Sequence, residues 1–135
     1  MKYLTRAEIV GVNRVMIRDF GGLYTAANEN LANAASLDYV QEAVMAEMFG
    51  QQLYPSVWEK AAAYSFHIIQ GHVFSDGNKR TGMESAFLFM EQNRYVLKDE
   101  VTSKDVVGLA LDIACESMTL KDFAGWLQEN TCPIL

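Results

Sequence analysis

The sequence predicts an all-α fold of six to eight helices, and three observations predict it. Only two prolines interrupt 135 residues. Helix start signals recur along the chain, a hydroxyl residue followed three positions on by an acidic one. Apolar residues return at three- and four-residue intervals, and no turn dipeptide between alternating runs marks a hairpin.

Thr5-Arg6-Ala7-Glu8 reads as a capping box and opens a helix that turns Ile9, Val12, Met16 and Phe20 inward until Gly21-Gly22 stops it. From Leu23 to Gly50 the signals are softer: Asn28 or Asn30 caps a short helix, and Asp38 starts another towards Met48. Ser56-Val57-Trp58-Glu59, after Tyr54-Pro55, reads as a second capping box. It starts a helix from Val57 to about Ile69, with Val57, Ala61, Tyr64 and Ile68 on one face. That helix is alanine-rich and apolar nearly all round, hence central and buried. Gly71 ends it, and the loop from His72 to Gly77 leads to a second central helix, about Asn78 to Gln92, with Met83, Ala86, Phe87 and Met90 inward. Thr102 or Ser103 starts a helix bearing Val106, Val107, Ala110 and Ile113, and Thr119-Leu120-Lys121-Asp122 starts a last one with Phe123, Trp126 and Leu127. With no repeat, linker or low-complexity stretch, residues 1–135 read as a single domain large enough to bury a real core.

A net charge of -6 argues against general binding to DNA or RNA, whose phosphates attract basic surfaces. It leaves room for a local basic pocket. No stretch approaches the roughly 20 apolar residues a membrane span needs, and the N-terminus lacks the apolar run of a signal peptide. The expected location is therefore the cytoplasm, where Cys115 and Cys132 remain free thiols. Their spacing suggests no zinc site.

Chemistry concentrates in Gly71-His72-Val73-Phe74-Ser75-Asp76-Gly77-Asn78-Lys79-Arg80-Thr81. The first turn of a helix has amides without intrahelical acceptors and carries the positive end of the macrodipole. Gly77 allows close approach of a ligand to backbone. Lys79 and Arg80 add two cations where the dipole already repels them, an arrangement that a bound polyphosphate would reverse. His72 is placed to take a proton from an attacking hydroxyl near neutral pH, and Asp76 to hold magnesium between phosphate oxygens. Such a set suffices for phosphoryl-type transfer. Singly each residue has a plainer use: His72 as a structural histidine, Asp76 as a helix cap, Lys79 and Arg80 as a solvated face. Gathered within nine positions they are hard to explain that way. Phe74 reads as the plug that anchors the loop in the core, and His67 as structural. The spacing of Gly71 and Asp76 is not that of a P-loop.

The segment His72-x-Phe74-x-Asp76-Gly77-Asn78-Lys79-Arg80-Thr81 resembles the signature of the Fic/Doc family, in its Doc (death-on-curing) branch. Gly21-Gly22-Leu23, Leu53-Tyr54-Pro55 and Ala86-Phe87-Leu88-Phe89-Met90-Glu91-x-Asn93 are also similar to Doc-type sequence, so the resemblance covers most of the chain. It implies an all-α Fic fold with the motif loop and its helix at the centre. By the same resemblance His72 is the general base, Asp76 the magnesium ligand, and Gly77, Asn78, Lys79 and Arg80 the phosphate-binding nest. A glycine commonly replaces Lys79 in Fic enzymes proper, which transfer AMP. The Doc branch has lysine, and its type member phosphorylates a threonine of elongation factor Tu. Lys79 thus implies a kinase using ATP and magnesium, with AMP transfer and a catalytically idle relative as the alternatives. The resemblance further implies a toxin neutralised by a small antitoxin, with Ile9, Met16, Met45 and Met48 as candidate groove residues, and a target-docking flap at Phe20 to Leu31. Three positions depart from the common pattern: Gln70, Val73 and Gly82, the last costing up to about 1 kcal/mol in a helix. Thr25 to Asn30 also fits a loose inhibitory pattern centred on Glu29, though it aligns better with the flap.

Overall fold

The computed structural model describes residues 1–135 and is helical with small strand pairs. Six α-helices are present: α1 (Arg6–Phe20), α2 (Ala34–Val44), α3 (Val57–Gln70), α4 (Asn78–Gln92), α5 (Ser103–Ala114) and α6 (Leu120–Asn130). A single 3-10 turn spans Ala26–Asn28. Two antiparallel ladders complete it, β1 (Glu47–Met48) with β2 (Gln51–Gln52) and β3 (Tyr95–Leu97) with β4 (Thr131–Pro133).

The two central helices fall where the apolar spacing puts them. On α3 the whole Val57–Ala61–Tyr64–Ile68 face is buried, as are Ala62 and Ala63 behind it. It packs chiefly on α4, and α2, α5 and α6 cover its remaining sides while α1 lies against α4. Gly82 makes the α3–α4 approach possible. A Cβ there would lie 2.6 Å from Ile69 Cγ1 and 3.1 Å from the Ser65 carbonyl oxygen. The Ser65 hydroxyl donates to the Gly82 carbonyl at 2.7 Å across the same seam.

Thr5, Thr102 and Thr119 close reciprocal capping boxes with Glu8, Asp105 and Asp122. Ser56 does not. Its hydroxyl accepts from the Glu59 amide at 3.0 Å but donates to the Glu59 carboxylate at 2.9 Å, which leaves that carboxylate turned away from the Ser56 amide.

Three further expectations need correction. The inward stripe of α1 is Ile9, Val10, Asn13 and Ile17, while Val12 and Met16 are half-buried and Phe20 is exposed. The shift follows from Asn13, a polar residue buried because its amide is fully used at the motif. Asp38 caps nothing. Asn33 caps α2 by accepting from the Ala35 amide at 2.9 Å, so the helix starts earlier and stops at Val44. The chain then forms the β1–β2 hairpin, which carries no Asn-Gly signal because its left-handed turn residues are Phe49 (φ 53°) and Gly50 (φ 78°). No helix is long and apolar enough to cross a membrane.

Candidate active site

The motif loop is built from both ends. Gly71 donates its amide to the His67 carbonyl at 3.1 Å, and a Cβ at Gly71 would sit 2.4 Å from that oxygen. His72 follows in the left-handed region, φ 46°, with its side chain exposed. Val73 and Phe74 are buried and hold the loop in the core. Asn78 braces the turn: its Oδ1 accepts from the Phe74 amide at 2.9 Å, and its Nδ2 donates to the Phe74 carbonyl at 2.8 Å. The Asn78 side chain is therefore spent on the loop, and what it offers a ligand is its backbone amide.

Gly77, at φ 78°, turns the chain into α4. A side chain there would meet Ile17 Cδ1 at 2.9 Å and Asn13 Nδ2 at 3.2 Å. The amides of Asn78, Lys79 and Arg80 find no acceptor in the fold and no side chain caps them. Lys79 and Arg80 are exposed and have no carboxylate within ion-pair distance. Arg80 instead lies over the Phe20 ring, its Cζ 3.9 Å from the ring centroid. Asp76, Gly77, Asn78, Lys79 and Arg80 share one cavity of about 520 Å³, whose other walls include Met16, Phe20, Phe87, Val106 and Leu111. His72 is not part of that lining and stands on the exposed loop before it.

Asp76 is fastened rather than free. Its Oδ2 accepts from the Leu23 amide at 2.9 Å and its Oδ1 from the Gly77 amide at 2.8 Å. The Leu23 bond, then the Gly77 bond and the nearby Lys79 charge, hold its carboxyl below the usual carboxylate range, so it is an anion at neutral pH. Gly22 permits this approach: its φ is 131°, and a Cβ would lie 2.9 Å from Asp76 Oδ2.

The segment between Phe20 and Leu31 is thereby tied to the motif along its length. Leu31 bridges Phe74, the Ser75 amide donates to the Asn30 carbonyl at 2.8 Å, and Ala32 donates to Val73 at 2.9 Å. Beneath it lies a buried polar cluster. Asn13 Nδ2 donates to the Asp76 carbonyl at 2.9 Å and to the Thr81 hydroxyl at 3.1 Å, while Asn13 Oδ1 accepts from Asn30 Nδ2 at 3.0 Å. Asn30 Oδ1 in turn accepts from the Thr25 amide. Asn13, Asn30 and Thr81 are all fully buried. Sequence reasoning missed this cluster, and its one signal was an asparagine in the middle of an otherwise apolar helix stripe.

Comparison with known proteins agrees with the motif. The Fic/DOC family model matches residues 3–90, from just before α1 through the motif into the last turn of α4. This chain belongs to the Fic/DOC family. It is 27% identical over 128 residues to "Protein kinase doc" of Escherichia phage P1, covering 95% of this chain and 94% of the phage protein. It is also 27% identical over 126 residues to "Toxin Doc" of Mycolicibacterium smegmatis (strain ATCC 700084 / mc(2)155), covering 93% and 91% respectively.

Several residues weighed for this Fic/DOC chain lie elsewhere. Gln70 Nε2 donates to the Ile113 carbonyl at 3.1 Å, away from the anion site. Glu29 pairs with Arg6 at 2.7 Å, at the start of α1. His67 is half-buried with its Nε2 3.2 Å from the Tyr54 hydroxyl. Ile9 is core, Met16 lines the cavity, and Met45 and Met48 are exposed around the hairpin, so these four form no single groove. No group of three His, Cys, Asp or Glu gathers to hold a metal. A magnesium ion would take Asp76 and complete its shell with phosphate oxygens and water, its ordinary habit.

Proposed function

We propose that residues 1–135 act as one Fic/Doc domain that is a Doc-type toxin, a cytoplasmic protein kinase moving the γ-phosphate of ATP to a serine or threonine hydroxyl. The observation that carries this reading is the unpaired cation pair Lys79–Arg80 beside three unused amides, in one cavity with an ionised Asp76. On stability alone, two cations at a helix N-terminus are misplaced; a polyphosphate gives them a counter-charge.

In this reading the amides of Asn78, Lys79 and Arg80 cradle the phosphates, Gly77 gives them room to approach the backbone, and Lys79 sets which phosphate faces the hydroxyl. The Lys79 side chain favours the terminal phosphate over the α-phosphate by occupying the nest. His72 accepts the proton as the hydroxyl oxygen bonds to the γ-phosphorus and the bond to the bridging oxygen breaks, releasing ADP. Magnesium bound at Asp76 would neutralise charge on the phosphate oxygens. The exposure of His72 suits a base that must meet a hydroxyl on a macromolecule. By resemblance to the Doc type member, the accepting group is a threonine of elongation factor Tu, and a small antitoxin restrains the enzyme.

Incubation with γ-labelled or α-labelled ATP, magnesium and a translation extract tests the reading. The expected result is γ-label on a translation factor and none with His72→Ala, a loss of about 10²-fold or more for a positioned base. Transfer of the α-label would replace the reading by AMP transfer. Growth inhibition undiminished by His72→Ala would show that toxicity is not catalytic.

A further inference from the structure

The charge of this chain is unevenly divided. The segment from Asp19 to Glu59 holds six carboxylates and no lysine, arginine or histidine, while the other eleven carboxylates match the eleven basic residues. The whole net charge of -6 thus belongs to this one stretch. Asp19 and Glu29 are paired with arginines, but Asp38, Glu42 and Glu47 are exposed with no cation in reach.

Asp38 and Glu42 share one exposed face of α2 with Met45 just beyond it, at i, i+4 and i+7, and the hairpin that follows exposes Met48, Phe49 and Leu53. The hairpin register explains the exposure. Glu47 pairs with Gln52, Met48 with Gln51, and the Leu53 amide bonds the Ala46 carbonyl at 2.9 Å. Alternation then puts Met48 and Leu53 on one face and Glu47 and Gln52 on the other. Gln52 is bound by the Nζ of Lys60, a residue buried on α3, so the Gln52 face looks at the body of the protein and the Met48–Leu53 face looks out. Lys60 also donates to the Tyr54 carbonyl, which fixes the hairpin's return strand. Phe49 sits at the tip, 98% exposed, in a left-handed conformation that asparagine or glycine adopts with less strain. Within the monomer this phenylalanine gains neither burial nor favourable backbone geometry.

We propose that the hairpin's outer face and tip are a docking surface for a protein partner that offers an apolar helix face flanked by lysine or arginine. The unpaired carboxylates favour a cationic rim, and they repel nucleic acid and anionic membranes. Phe49, Met48 and Leu53 supply the buried anchor that such an interface needs, and the Lys60 clamp presents them in fixed form. The surface lies apart from the cavity of the motif and does not depend on the proposed transfer chemistry.

The test uses the full chain and two synthetic amphipathic helices with the same leucine face, one flanked by lysines and one by glutamates. The lysine-flanked helix should bind one to one, and less tightly as salt rises. Phe49→Asn should weaken that binding by about tenfold or more while the thermal midpoint holds or increases, because asparagine suits the turn. The double change Asp38→Asn/Glu42→Gln should weaken binding and flatten the salt dependence, and His72→Ala should leave it unchanged. Three outcomes would overturn the proposal: no binding, equal binding of the glutamate-flanked helix, or undiminished binding by Phe49→Asn. Self-association of the wild type that Phe49→Asn abolishes would assign the surface to a second copy and overturn it as well.

Discussion

Phe20 shows what a residue's position in a pattern leaves unsaid. Its spacing from Ile9, Val12 and Met16 suits a core residue, yet it stands exposed as the platform on which Arg80 rests. Periodicity reports which face of a helix a residue shares, and says nothing of a cation arriving from another helix. Because the stacked guanidinium has no carboxylate partner, Phe20 is what holds it over the cavity. On the proposed reading, Phe20→Ala should raise the KM for ATP several-fold with a smaller change in kcat, and Phe20→Tyr should restore it, as steady-state kinetics would reveal. Asn13 is the counterpart in the interior. Replacing it with alanine strands the Asn30 amide and removes bonds to Asp76 and Thr81, which should cost about 1–3 kcal/mol in urea unfolding.

Among the elements, those carrying chemistry were the most legible. The bounds of α4, the loop before it and the buried state of Phe74 could all be read from capping logic, glycine placement and apolar spacing. The stretch from Leu23 to Leu53 could not. Its start signal at Asn33 follows two other asparagines, Asn28 and Asn30, and its hairpin turns on a phenylalanine that no turn rule favours. Gly82 gives the sharpest contrast between local rule and packing. By helix propensity, Gly82→Ala should stabilise by up to about 1 kcal/mol. The seam between α3 and α4 leaves no room for the methyl, so the substitution should instead destabilise by about 1–3 kcal/mol. Combining it with Ile69→Ala, which removes the atom 2.6 Å away, should cost less than the two single changes together, and a double-mutant cycle in urea measures this.

At the scale of the whole molecule, acid sensitivity follows from His67. Burial lowers its pKa from the ordinary 6.5, so the folded protein binds fewer protons here than the unfolded chain. The sign is then fixed: this contribution to stability is complete above pH 6.5 and is lost as pH falls below it. His67→Gln can keep a bond to the Tyr54 hydroxyl without titrating, and should flatten the stability profile on the acid side in thermal melts across pH. The uneven charge belongs to this scale too. A composition of -6 identifies an acidic protein, but only the fold shows that Asp38, Glu42 and Glu47 stand on α2 and β1, the two elements that lead into the strained aromatic tip.

One detail at the far end of α4 has a practical side. Lys2 and Asn93 exchange two hydrogen bonds, and the Ile134 amide bonds the Arg94 carbonyl, so residues near both ends of this sequence are moored at the same corner. The helix between that corner and Lys79 runs about 20 Å. Fluorophores or fused reporters attached near Lys2 or Ile134 would hang side by side, remote from the cavity at Lys79, and would report on the protein without crowding that site.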